Sequence, residues 1–192
     1  MNLNYFTRFI AILATKLVYG RKFNYLGKKT AIFSPMQIDN PKGISVGDNV
    51  FIGHNSWLFG SNNLSEANKG LFIEDNVTIG HFSHIVALSS VVIEKKVLIA
   101  DKVFISDCTH SYEDVEKHIV DQKIKLLKDI RIGEGSWIGE NVCICGASIG
   151  KHSVVGANTV VLKDVPDYCV VAGNPARIIK KYNNETLMWE KM

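Results

Sequence analysis

Aliphatic residues recur along this chain every six positions, and a Gly, Glu or Ala often follows them. An amphipathic helix would repeat near 3.6 and a simple strand at 2, so this period predicts a coil of short flat faces joined by tight corners. Three faces would close one turn, with the aliphatic side chains pointing into a triangular prism. The repeating positions are Val46, Ile52, Leu58, Ile73, Ile79, Ile85, Ile93, Ile99, Ile105, Ile132, Ile138, Ile144, Ile149, Val155 and Val161.

A second set of small or β-branched residues occupies the fourth place after the aliphatic ones. These residues are Val50, Ser56, Val77, Ser83, Val97, Val103, Ser136, Val142, Ser148, Ser153 and Thr159. Gly, Asn and Asp are expected at the corners between the faces, because they tolerate the backbone conformations that tight turns need.

The repeat is interrupted at three places, and a coil tolerates insertions at its corners, where they become external loops. Residues 59–72 are polar and rich in Gly, Asn and Ser. Residues 106–131 form the longest excursion, and loops of that length are usually functional. The third irregularity is a step of five residues from Ile144 to Ile149. We predict the coil over residues 31–165.

The N-terminal segment, residues 1–30, precedes the repeat. Apolar side chains at helical spacing predict one amphipathic helix over residues 4–19. They are Phe6, Phe9, Ile10, Leu13 and Leu17. We expect this helix to pack on the domain, with peripheral membrane contact as the alternative. Its short apolar run, between Arg8 and Lys16, predicts neither a signal peptide nor a transmembrane span. A C-terminal extension, residues 166–192, is expected to end in a short helix near residues 183–191.

Composition narrows the class of protein. The 192 residues are 46% apolar and 21% charged, with a net charge of +3, which fits one folded domain and excludes a disordered chain. The small net charge argues against a nucleic-acid partner but tolerates an anionic small ligand. The four cysteines form no CxxC pair, so we expect reduced thiols and a cytoplasmic location.

Residues 137–182, WIGENVCICGASIGKHSVVGANTVVLKDVPDYCVVAGNPARIIKKY, resemble the ending of hexapeptide-repeat acyltransferases, and GNPARIIKK is the most specific part. The resemblance extends over roughly residues 44–181. It implies an all-β fold, the left-handed parallel β-helix, with acetyl-CoA as cosubstrate and a homotrimeric assembly. The segment DCTHSYED, residues 107–114, is similar to a loop of sugar and polysaccharide O-acetyltransferases of the galactoside, maltose, nodulation-factor and cell-envelope glycan type.

His110 occupies the position of the general base in that loop. An alcohol is a feeble nucleophile until a base takes its proton, and an imidazole suits this task near neutral pH. The family often has a second His three residues earlier, where this chain has Asp107, so an assisting role for the nearby Cys108 is open. The acceptor is expected to contact three further residues. They are His81, His84 and Asp114.

The resemblance also implies a groove for acetyl-CoA. Its pantetheine arm needs small residues along the coils, and its phosphates need cations near the exit. The predicted donor-binding residues are Trp137, Gly139, Ala157, Lys163, Asn174, Arg177 and Lys180. No metal is required for the reaction.

Several alternatives stay open. N-acetylation of a nucleotide amino sugar, or acetylation of serine or an antibiotic, would use the same ending of the chain. A zinc lyase of the same solenoid class resembles one His followed by a pair five residues apart, whereas Val115 stands five residues after His110. A non-catalytic β-helix scaffold would need neither a loop histidine nor a basic tail.

Overall fold

Three parallel sheets form the sides of a prism in the computed structural model, which describes residues 5–61 and 69–192. Sheet A contains β1 (Tyr25–Leu26), β4 (Ile44–Val46), β7 (Gly70–Ile73), β10 (Ser90–Ile93) and β15 (Ile130–Ile132). Sheet B contains β2 (Ala31–Ile32), β5 (Phe51–Ile52), β8 (Thr78–Ile79), β11 (Leu98–Ile99), β16 (Trp137–Ile138), β18 (Val154–Val155) and β20 (Cys169–Ala172). Sheet C contains β3 (Gln37–Asp39), β6 (Trp57–Phe59), β9 (His84–Val86), β12 (Phe104–Ser106), β17 (Cys143–Cys145) and β19 (Val160–Val161).

The predicted aliphatic positions form the core of this prism. In sheet B, for example, Ile79 pairs in register with Ile99, and Ile99 pairs with Ile138. The fifteen repeating residues are all buried, with at most 2% of each exposed. Equivalent side chains therefore stack from coil to coil at the spacing of paired strands, about 4.8 Å.

Left-handed backbone conformations make the corners. Asn49, Asn76, Asn141 and Asn158 have φ between +56° and +60°, and each directly precedes a buried residue of the second set. Asparagine enters this region more readily than most residues. Non-asparagine corner residues with positive φ include Phe82, Lys96, Lys102, His152 and Tyr168.

Because of the five-residue step from Ile144 to Ile149, the inward position of the second set is filled by Ala147 and not, as predicted, by Ser148. Gly146 takes the corner conformation at φ +56°, and Ala147 behind it is fully buried, whereas Ser148 is only half-buried. A Cβ on Gly146 would also lie 2.7 Å from the Leu127 Cβ. Leu127 belongs to the end of the long excursion, so the shortened corner leaves space for that segment.

The amphipathic helix is confirmed as α1 (Tyr5–Tyr19), and residue 4 lies outside the described residues. It packs on β2, the edge strand of sheet B. The Thr15 hydroxyl, 1% exposed, accepts a hydrogen bond from the Ile32 amide at 2.8 Å and donates to the Ile32 carbonyl at 3.4 Å. The helix therefore covers the edge strand of sheet B, on which no further coil of the described chain stacks.

Both predicted loops leave the coil at its corners. The middle of the first, residues 62–68, lies outside the described residues. The second contains a two-stranded antiparallel ribbon, β13 (Cys108–His110) and β14 (Ile124–Leu126), with a 3-10 turn at Ile119–Asp121 between the strands. A second 3-10 turn, Pro41–Gly43, follows β3. The sequence did not predict the ribbon.

The predicted C-terminal helix near residues 183–191 is wrong, because the chain forms an antiparallel hairpin there. Strand β21 (Arg177–Asn183) pairs with β20, and β22 (Met188–Lys191) pairs with β21. The Asn183 side chain accepts the amides of residues 185 and 186, which favours a turn over a helix. Tyr182 and Trp189 then pack edge to face across the two strands.

Candidate active site

His110 lies at the end of β13, opposite Ile124 of β14, and its side chain is exposed. An ion pair between Glu113, which follows His110, and Lys125 of β14 joins the two arms of the excursion. The Lys125 ammonium lowers the pKa of Glu113 to about 2. The ribbon thus holds His110 on hydrogen-bonded backbone instead of an irregular loop.

Asp107 anchors the base of this ribbon. Its carboxylate is fully buried and accepts the amides of Leu88 at 2.9 Å, Ser89 at 2.7 Å and Ser90 at 2.9 Å. Its carbonyl accepts the Leu127 amide at 2.8 Å. Burial raises the pKa of Asp107, although the three amide hydrogen bonds oppose that change. One side chain therefore ties the start of the excursion to the turn between β9 and β10.

Asp114 is engaged within the excursion itself. Its carboxylate accepts the Glu116 amide at 3.1 Å and pairs with Lys117 at 2.8 Å. Among residues 5–61 and 69–192, no hydrogen bond joins this carboxylate to His110. The described residues therefore show no contact through which Asp114 would orient His110, and its predicted contact with an acceptor stays a prediction.

His84 faces outward from sheet C, at the first residue of β9. Its ring stacks on Trp57, with centroids 4.1 Å apart, and meets the Phe104 ring at 5.3 Å. Burial among these rings lowers the pKa of His84. Its Nε2 atom is buried and has no hydrogen-bond partner among the described residues. One buried imidazole nitrogen therefore lacks a partner within the described chain, beneath a mostly apolar surface.

His81 is separated from His84 by the corner between sheets B and C. Its Nδ1 accepts the His54 amide at 2.9 Å, and its own amide donates to Asp101 at 2.8 Å. The two rings, of His54 and His81, stack 5.4 Å apart. These contacts give His81 a role in joining successive coils, while acceptor binding by His81 stays a prediction.

Three thiols lie near the foot of the ribbon. The Cys143 and Cys145 sulfurs are 3.6 Å apart on the outward face of β17, and Cys108 contributes to the electrostatic environment of Cys145. Burial first, and the neighbouring Cys143 second, raise the pKa of Cys145 to about 12. Burial also raises the pKa of Cys108. No group of three or more His, Cys, Asp or Glu residues in the described part of the chain is arranged to hold a metal ion.

The predicted small residues of the donor groove collect along the corner between sheets B and C. A Cβ on Gly139 would lie 2.7 Å from the Ala157 amide nitrogen, so the glycine is required by the stacking of these coils. One coil further, the Gly173 carbonyl accepts the Val160 amide at 3.1 Å, which places Asn174 on the same corner. Trp137 lies on sheet B beside this corner and is half exposed.

The predicted cations are more dispersed. Arg177 and Lys180 lie on β21 of the terminal hairpin, whereas Lys163 follows β19 at the corner between sheets C and A. All three side chains are exposed. Arg177 therefore follows the Asn174 turn by three residues, whereas Lys163 lies at a different corner.

The predicted donor groove and the predicted base lie at opposite ends of the strands of sheet C. The groove residues precede its strands, and the His110 ribbon leaves after β12, where each strand ends. Between them lies a half-buried, mostly apolar surface with Trp57, His84, Phe104 and Cys143 along one ladder. Within one chain, the width of sheet C separates the candidate base from the candidate groove.

Sequence reasoning missed three features of this region. The Asp107 anchor had one available signal, since an acidic residue directly follows the strand FIS, β12. The Trp57–His84 stack pairs residues 27 positions apart and carries no local signal. The Cys143–Cys145 spacing was visible, but only a strand places both sulfurs on one face.

Comparisons with known proteins agree with this fold. A family model described as the hexapeptide repeat of succinyl-transferase matches residues 43–60 and 129–163. A hexapeptide-repeat acetyltransferase from Vibrio cholerae is 26% identical, with a TM-score of 0.63 over 90% of this chain and 82% of that chain. AntD, an N-acyltransferase from Bacillus cereus solved as a mutant with dTDP and coenzyme A, is 19% identical, with a TM-score of 0.73 over 91% of this chain and 90% of that one. The predicted fold, a left-handed parallel β-helix of hexapeptide repeats, is confirmed.

Among curated proteins, one from Escherichia coli K12 named as a lipopolysaccharide biosynthesis O-acetyl transferase, WbbJ, is 42% identical over 117 residues. The match covers 57% of this chain and 60% of WbbJ. The chain therefore spans about three fifths of the length of that relative.

Proposed function

We propose that this chain, whose hexapeptide repeats and fold are those of acetyltransferases, transfers an acetyl group from acetyl-CoA to a hydroxyl of a sugar or cell-envelope polysaccharide precursor. The observation that carries the proposal is the placement of His110, exposed on a braced ribbon beside sheet C. The similarity to a relative named as an O-acetyl transferase supports the oxygen acceptor.

In the proposed reaction, the His110 imidazole takes the proton of the acceptor hydroxyl as its oxygen attacks the thioester carbonyl. The tetrahedral intermediate carries the negative charge on the former carbonyl oxygen, where a backbone amide would stabilise it. Collapse breaks the carbon–sulfur bond, and the imidazolium returns the proton to the departing thiolate of coenzyme A. The products are the acetyl ester and free coenzyme A, with no acetyl group held on the protein.

Direct transfer agrees with the state of the nearby thiol. A covalent route would need Cys108 as a thiolate, and burial raises the pKa of Cys108.

The His84 side chain beside Trp57 suits a different role. We assign the His84–Trp57 surface to the acceptor: sugar carbons would pack on the exposed part of these rings, and a shift of the His84 ring on binding would bring its buried Nε2 to a sugar hydroxyl.

We assign acetyl-CoA to the corner between sheets B and C. Its pantetheine arm would pass Gly139 and Ala157 beside Trp137, and its phosphates would meet Arg177 and Lys180 on the terminal hairpin, with Lys163 as a further cation. The reaction would take place in the cytoplasm, where the thiols of this chain stay reduced.

The assembly we propose is a homotrimer. Because sheet C separates His110 from the groove of the same chain, a neighbouring subunit would have to bring its groove to this ribbon. The remainder of the half-buried apolar surface of sheet C, including Phe104 and Cys143, offers a contact area for that neighbour. Each of the three sites would then combine residues of two subunits.

The test is acetyl transfer from radiolabelled acetyl-CoA to a panel of monosaccharides, nucleotide sugars, a nucleotide amino sugar, serine and lipid-linked oligosaccharides. We expect labelled product that mild alkali cleaves, as it cleaves esters, and a loss of turnover of about 10²- to 10⁴-fold in His110→Ala. His118→Ala, a histidine of the same excursion, is the matched control and should retain turnover. An alkali-stable product would identify N-acetylation, and full activity of His110→Ala would remove this residue from the mechanism.

A further inference from the structure

One face of α1 exposes apolar side chains. Its packed face carries Thr15, which is bonded to the edge strand β2. At 100° per residue, the four apolar residues that share the opposite face fall within an arc of about 100°. Their exposed fractions are 59% for Phe9, 50% for Ile10, 53% for Leu13 and 88% for Leu17. This surface, defined by these four residues, is the apolar stripe of α1.

The segment that contains the stripe is basic. Residues 1–30 contain six cations, Arg8, Lys16, Arg21, Lys22, Lys28 and Lys29, and no acidic residue. Residues 31–192 contain 16 basic and 19 acidic residues, so the remainder of the chain has a small negative net charge. Lys16 lies within α1, and Arg21 lies two residues beyond its end. Apolar and cationic groups are therefore concentrated on the same end of the molecule.

We propose that α1 lies flat on an anionic phospholipid surface, with the apolar stripe among the head groups and the neighbouring cations on the lipid phosphates. Aromatic and aliphatic side chains beside basic residues are the pattern of interfacial helices. Each Lys or Arg near such a surface adds an attraction that depends on the anionic lipid. No helix in the described part of the chain is long and apolar enough to cross a membrane. The inference is independent of acetyl transfer.

A second copy of this chain is the competing occupant of the stripe, and two observations disfavour it. Four side chains on one helix form a small area compared with the roughly 800 Å² per partner of a standard interface. Joining two stripes would also bring the Lys16 and Arg21 cations of both copies towards each other. An anionic surface removes that repulsion and supplies the opposite charge.

The test is cosedimentation of the full chain with vesicles of phosphatidylcholine alone and of phosphatidylcholine with about 30% phosphatidylglycerol. We expect binding to the anionic vesicles, much weaker binding to neutral ones, and release as the salt concentration rises from about 0.1 to about 0.5 M. The double variant Leu13→Gln, Leu17→Gln should weaken the partition coefficient by about tenfold or more, because Gln retains helix propensity but loses apolar burial. Lys16→Gln should weaken it about fivefold.

Leu187→Gln is the matched control, since Leu187 is also exposed, at 70%, but lies on the distant hairpin. It should bind anionic vesicles as the unmodified chain does. Absence of binding to the anionic vesicles, or binding unaffected by the double variant, would overturn the proposal. A change of oligomeric size in the double variant without vesicle binding would assign the stripe to a second copy. Helical content of each variant, measured by circular dichroism, shows whether α1 persists.

Discussion

The imidazole of His84 lies nearly parallel to the indole of Trp57, with ring centroids 4.1 Å and planes 8° apart. Burial in this stack lowers the pKa of His84 below the usual 6.5. Titration followed by NMR of the imidazole carbons should give His84 a midpoint below 6.5, and Trp57→Ala should return it toward that value. An identical midpoint in both proteins would show that the indole does not cause the shift.

The same shift makes stability depend on pH. Since the unfolded chain takes up the His84 proton at higher pH than the folded chain does, protonation favours unfolding. The contribution of neutral His84 to the free energy of unfolding is present above pH 6.5. It is lost as the pH falls from 6.5 through the folded pKa. Denaturant titrations of the chain and of His84→Phe across this range should diverge, and parallel curves would contradict the assignment.

The Asp107 anchor should be important for stability. Asp107→Asn replaces one acceptor oxygen with an NH₂ group that faces backbone amides, so at least one buried amide loses its partner. We expect a decrease of about 1–3 kcal/mol in the free energy of unfolding. Asp121→Asn, an exposed acidic residue of the same excursion, is the control and should change it little. Equal stability of the two variants would mean that the amides of residues 88–90 find other partners.

The sulfur atom of Cys145 on β17 should react slowly with alkylating reagents. At pH 8 only a minute fraction of Cys145 is thiolate, because its pKa is raised to about 12. Alkylation by iodoacetamide, followed by mass spectrometry, should accelerate about tenfold for each pH unit up to pH 10. Cys143→Ser should increase the rate for Cys145 at fixed pH, since Cys143 contributes to the raised pKa. Rapid labelling of Cys145 at neutral pH would show that burial does not raise its pKa.

Lys163 and Arg177 test the donor groove. Replacement of either by Ala should raise the KM for acetyl-CoA about tenfold or more and leave the acceptor KM nearly unchanged, because a phosphate contact is remote from the reacting carbon. Added salt should reduce the difference. Lys96→Asn removes a charge at another corner without straining its positive φ, and should leave both constants unchanged. An effect on the acceptor alone would place the donor elsewhere.

Shared sites can be tested by mixing subunits. His110→Ala and Ala157→Trp should each be inactive, the first without a base and the second with a blocked groove. In trimers reassembled from equal amounts of both, about a quarter of the interfaces would combine an intact His110 with an intact groove. Activity should therefore return on mixing, and light scattering should give the mass of a trimer. No recovery, or an active monomer, would place each site within one chain.

The coil could be predicted from the sequence because each inward position is marked by an aliphatic residue at a fixed spacing, whichever residues lie next to it in space. Ile79 and Ile99, 20 residues apart, are both recognisable from the period alone, and they stack as expected. The helix over residues 4–19 could be predicted for a similar reason, because the apolar spacing that indicates it lies within one short segment. The C-terminal hairpin could not be predicted in this way, because NNETLMWEK is compatible with either structure until β20 offers an edge and Tyr182 meets Trp189.

For the candidate site, the resemblance located His110 and the corner residues, but contacts between distant positions remained hidden. His84 was proposed as an acceptor ligand, and nothing in HFSH distinguishes it from His81. The difference arises from tertiary neighbours. The ring of His84 has Trp57 against it, whereas the Nδ1 of His81 already accepts an amide from the previous coil.

The Thr15 contact with Ile32 has a consequence for filament growth. A parallel β-helix with a bare first coil would offer its edge amides and carbonyls to the last coil of another molecule, and head-to-tail addition has no natural stop. Thr15 takes up the outward amide and carbonyl of Ile32, and α1 covers that edge. At the opposite end, β21 turns the sheet antiparallel, so the template for another parallel coil ends there. Both ends of sheet B are thereby closed to the addition of a further parallel coil.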